Sequence, residues 1–88
     1  MCTNITEKAL VVGSGKGKDG WFVLNAANVS YDHPYHAPVE HALNIDFVNE
    51  AAGPGARVAV ELTADSARRL VDAILVALER GAIVEAAQ

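Results

Sequence analysis

Apolar side chains recur along this chain first with a period of two and then, from about residue 64, with the period of a helix. Four stretches carry the first pattern. "TEKALVVG" (residues 6–13) is aliphatic and stops at glycine, and "WFVLNAANVSY" (21–31) is aromatic and β-branched. "HALNIDFV" (41–48) and "RVAVELT" (57–63) alternate. In the third stretch Leu43, Ile45 and Phe47 share one face opposite Asn44 and Asp46. In the fourth, Val58, Val60 and Leu62 oppose Ala59 and Glu61. Such alternation predicts strands with one clearly apolar side.

The second pattern fills "ADSARRLVDAILVALER" (64–80). Ala67, Leu70, Val71, Ile74, Leu75 and Leu78 fall on one side, while Arg68, Asp72 and Glu79 share the other. Thr63 is a good N-cap, Asp65 suits the first turn, and Gly81 is placed as a C′ stop. Ile74 and Leu78 are expected in the core and Arg68 outside it. The links "GSGKGKDG" (13–20) and "EAAGPGA" (50–56) carry the glycines that tight turns use, so neighbouring strands should pair as antiparallel hairpins, the first through a mobile loop. The predicted fold is α+β: a four-stranded antiparallel sheet, β-β-β-β-α, with one C-terminal helix packed on one face, in a single domain over residues 1–88.

One helix covers only one face. The first strand is apolar on both sides, and the second carries Trp21, Val23 and Val29 on one side with Phe22 and Leu24 on the other. An uncovered apolar patch marks an interface or a ligand surface. A two-fold homodimer is the expected occupant, and a pocket for a small-molecule ligand is the alternative.

Composition narrows the partners. A chain of 88 residues, half of them apolar and a fifth charged, is an ordinary small globular protein. Its apolar runs are far too short to cross a bilayer and its first residues carry no signal-peptide pattern. The net charge of −4 has no basic block, which argues against nucleic acid. The single cysteine, Cys2, excludes an internal disulfide and suits a cytoplasmic location. The glycine-rich segment lacks P-loop spacing, and no nucleophile elbow is present.

Candidate chemistry concentrates in "YDHPYHAPVEH" (31–41), which holds every histidine of the chain: His33, His36 and His41, beside Asp32 and Glu40. Pro34 and Pro38 disfavour helix at the residues before them, so the segment is a turn or an extended stretch. Only a turn brings His33 and His36 easily onto one ion. The three imidazoles are the candidate ligands of a divalent transition metal, with Glu40 or Cys2 as a further ligand. Imidazole suits zinc, copper, iron and nickel alike, and zinc is the first choice because it imposes the least demanding geometry. The competing reading is a polar crossover loop whose histidines are solvated singly or sense pH.

The combination of "MCT", "GSGKGKDGW", "DHPYHAP" and "HALNIDFVNEAAGPGARVAVEL" resembles a family of small uncharacterised bacterial proteins, a domain of unknown function, over nearly the whole chain. The resemblance implies a bacterial cytosolic origin and assigns no activity. Two functions therefore stand side by side: a small metal-binding protein, with metalloenzyme activity an open question, or a homo-oligomeric interaction module without catalysis.

Overall fold

The computed structural model describes residues 5–88. Five main elements follow in the expected order: β1 (Ile5–Gly17), β2 (Gly20–Asp32), β3 (Ala42–Val48), β4 (Arg57–Leu62) and helix α1 (Ala64–Ala86), with a short 3-10 turn (Glu50–Ala52) between β3 and β4. The four strands form one antiparallel sheet in the order β1-β2-β3-β4, and the fold is α+β.

The glycine-rich segment, expected as a mobile loop, is instead the distal half of β1. Gly13 and Gly15 pair with Leu24 and Phe22, and Gly17 pairs with Gly20, so alternate glycines fall on one side of the strand. A Cβ on Gly15 would lie 3.2 Å from Leu24 Cδ2. One on Gly17 would lie 3.1 Å from Phe22 Cε1 and 3.4 Å from the backbone oxygen of Arg57. The bare backbone is what lets Phe22 and Leu24 lie across their own neighbour strand. The turn shrinks to Lys18 and Asp19, after which Gly20 takes a φ of 110° that other residues rarely adopt. A register shift between Leu10 and Gly13 sets two residues of β1 against one of β2, a bulge that bends the strand.

Register sorts the rest of the sheet into two unlike faces. Val29, Tyr31, Leu43, Ile45, Val60 and Leu62 share the side on which α1 lies. The opposite side presents Asn28, Ser30, Asn44, Asp46, Arg57 and Glu61, with the Arg57 guanidinium 2.8 Å from Asp46 Oδ1. Over β2–β4, then, the second face is polar. The apolar side chains that argued otherwise, Phe22 and Leu24, are half-buried over the glycines of β1.

Helix α1 begins as expected, with Thr63 Oγ1 accepting a hydrogen bond from Ser66 N at 3.2 Å. Gly81 does not stop it, and it continues to Ala86. One interior glycine costs about 1 kcal/mol of helix propensity, and the alanines and aliphatics that follow sustain the helix past it. Only the first turn approaches the sheet closely: from Arg68 onward every helical residue is exposed. Ile74 and Leu78, expected in the core, are 49% and 66% exposed in the single chain. Among the described residues only Ala26, Ala27 and Ala42 are buried.

Candidate functional site

The ladder between β2 and β3 ends at Asp32 opposite Ala42. Continuing the same register by one step pairs His33 with His41, and the two rings do stack, with centroids 4.7 Å apart and planes inclined by 29°. On the other side of the pair Tyr31 stacks on His41 at 5.7 Å and 19°. Strand alternation thus aligns two histidines of the segment with a tyrosine of the apolar face.

The His33 ring is oriented by the loop it opens. Its Nδ1 lies 2.9 Å from the backbone carbonyl oxygen of Glu40. A carbonyl only accepts, so Nδ1 carries the hydrogen, and in the neutral ring the lone pair sits on Nε2. The backbone N–H of His33 in turn donates to Asp32 Oδ1 at 2.7 Å.

His36 is held elsewhere, by a residue of β4. The carboxylate of Glu61 accepts three successive backbone N–H groups: Tyr35 and His36 donate to its two oxygens, the latter at 2.9 Å, and Ala37 donates at 3.0 Å. These bonds, that from Tyr35 foremost and that from Ala37 next, hold the Glu61 carboxyl below its ordinary pKa; partial burial opposes them, and the bond from His36 and the charge of its ring add to them. His36 consequently lines an open cleft on the polar face with Arg57, Ala59 and Glu61.

The segment therefore brings His33 and His41 together and ties the His36 backbone to β4. Glu40 is exposed and contributes its backbone oxygen to the site. Cys2 lies outside the described residues. Among the described residues no group of three or more histidine, cysteine, aspartate or glutamate side chains is placed to hold a metal ion.

Glu61 is the residue that sequence reasoning missed. It reads as one polar position of an alternating strand, yet the N–H groups of a proline-interrupted loop need acceptors. Counting those donors signals that acceptors are needed, and only the register of β3 against β4 shows that Glu61 supplies them.

A second feature lies on the apolar side, where α1 diverges from the sheet. The groove between them measures about 640 Å³ and is lined by Val29, Tyr31, Ile45, Leu62, Leu70 and Ile74, among others. Tyr31 belongs to both features: it lines the groove and stacks on His41. No helix among the described residues is long and apolar enough to cross a membrane.

A family model described as "Family of unknown function (DUF6295)" matches residues 1–88. No curated protein matches the chain, and no solved structure does.

Proposed function

The chain belongs to that family of unknown function, and from its geometry we propose that it is a self-assembling interaction module whose working form is a homodimer joined through the groove face and α1. The observation that carries this reading is surplus surface. The chain exposes 6688 Å², whereas a compact monomer of its mass exposes about 5000 Å². Its radius of gyration is 15.0 Å against about 12 Å for a compact chain of this length. The excess, about 1700 Å², falls within the roughly 1000–2500 Å² per protomer that obligate dimers bury.

The pattern of α1 points the same way. At about 100° per residue most of its aliphatic and small side chains, Val76 and Ile83 apart, fall within roughly 200° of the circumference, more than one sheet can cover. A helix apolar over that arc is buried on two sides. Along the groove face, Trp21 and Val23 prolong the row of Val29 and Tyr31 on β2 and are themselves exposed. A second copy related by a two-fold axis supplies a matching helix for this surface and receives one in return.

Sedimentation equilibrium on the untagged protein at micromolar concentration tests the reading. The expected mass is twice the 9.3 kDa of the chain. A monomeric mass would overturn the dimer and leave the groove as a site for an apolar small molecule.

A further inference from the structure

We infer that the groove between α1 and the sheet holds a single-chain anionic amphiphile, an aliphatic tail ending in a carboxylate, with Arg68 binding the head. The groove measures about 640 Å³, within the roughly 300–1000 Å³ typical of small-molecule sites. Three turns of a helix about 10 Å across fill on the order of 1300 Å³, so the helix of a second copy can close this space from outside but not occupy it. Val29, Leu43 and Ile45 form the wall on the sheet, and Leu70 and Ile74 the wall on α1. Walls of that kind take an apolar body in preference to water.

The sign of the head follows from the rim. Among the described residues that line the groove, only Tyr31 and Arg68 carry a polar side-chain group, and a few such groups in an apolar site fix a ligand's orientation. Helical spacing sets Arg68 beside Asp72 and Glu79, away from the apolar stripe, yet it lines the groove. Its side chain is 75% exposed, so the stem meets the apolar wall while the charge stays in water, the usual posture of a long cationic side chain. Nη1 donates to Asp65 Oδ1 at 3.1 Å. A guanidinium carries five N–H donors, which leaves others for a carboxylate, the anion whose planar geometry the fork matches.

The lining belongs to one protomer, so this site and the dimer fail separately: sedimentation mass reports the second copy, and titration reports the groove. The experiment is calorimetric titration of the full chain with decanoate, beside decanol and decyltrimethylammonium, which keep the tail and change the head. One decanoate per chain is expected. Arg68→Ala should weaken decanoate about threefold to tenfold, the effect of losing an exposed charge-assisted bond, and leave decanol unchanged. Arg68→Glu should weaken decanoate further and favour decyltrimethylammonium. Equal losses for decanoate and decanol in Arg68→Ala, or undiminished decanoate binding by Arg68→Glu, would overturn the role of the guanidinium. Methyl resonances of the wild-type protein locate the tail without any variant: decanoate should shift those of Ile45 and Ile74, one on each wall. If both stay in place, the groove is not the site.

Discussion

Glu61 Oε1 lies 2.9 Å from the backbone nitrogen of His36, joining the fourth strand to the loop between the second and third. With the bonds from Tyr35 and Ala37, this one carboxylate satisfies three successive donors of a loop that two prolines keep from forming regular structure.

The pH dependence of stability should report this contact. The folded Glu61 carboxyl titrates below its ordinary value of 4.5, so folding favours its ionised form. The stabilisation is fully present above pH 4.5 and is lost as the pH falls through the lower folded value. Melting temperatures of wild type and Glu61→Gln should therefore differ at pH 7, with the variant lower, and converge as the solution is acidified through the lowered folded value. Curves that stay parallel through that range would show that the carboxylate charge does not hold the loop.

Ile74 and Leu78 separate the dimer from a free-standing chain. In the single chain both are exposed, and their replacement by alanine should then change stability by no more than about 0.5 kcal/mol. Buried against a second copy, each should cost about 2–5 kcal/mol. Arg69→Ala is the control, since Arg69 does not line the groove and its guanidinium makes an exposed bond to Ser66 Oγ at 3.1 Å. The melting temperature of the wild type should also rise with protein concentration. Silent alanine variants together with a concentration-independent transition would remove the interface from α1.

What the sequence made legible follows the range of the interactions concerned. Thr63 as a cap and the alternation of residues 43–47 and 58–62 are local, and both appear as read. The pairing of His33 with His41 follows from strand register, which a sequence shows only once both strands are correctly placed. The attachment of His36 to β4 depends on a residue 25 positions away, and nothing near His36 announces it. The wide apolar arc of α1 was visible as a need for burial, but an amphipathic pattern does not say whether its own sheet or another chain meets that need. The glycines of residues 13–17 were read as loop because glycine punctuates, although their spacing of two was itself a strand signal.

Those glycines give a graded test. Gly13 has nothing within 4 Å of where a Cβ would sit, whereas Gly17 meets the Phe22 ring at 3.1 Å and backbone at 3.4 Å. The backbone contact is an ordinary one, so it is the Phe22 ring that an added side chain would have to displace. Gly17→Val should destabilise by about 1–3 kcal/mol. Gly13→Val should be near neutral, because strand-favouring valine offsets any lost solvation. Equal effects by chemical denaturation would mean that Phe22 does not lie across β1.

Gly81 tests where α1 ends. If the helix stopped there, a left-handed glycine at C′ would be required, and alanine would be strained. The structure instead carries the helix through Gly81 to Ala86, Gly81 has no positive φ, and no atom lies within 4 Å of a Cβ built there. Alanine removes glycine's backbone freedom in the unfolded chain and shields the helical hydrogen bonds, so Gly81→Ala should stabilise by about 0.5–1 kcal/mol. The gain should appear as higher helical content by circular dichroism and a higher denaturation midpoint at unchanged slope. Destabilisation would return the end of the helix to Gly81 and leave residues 82–86 outside it; a drop in sedimentation mass alongside it would mean instead that Gly81 is where the two helices of the dimer approach most closely.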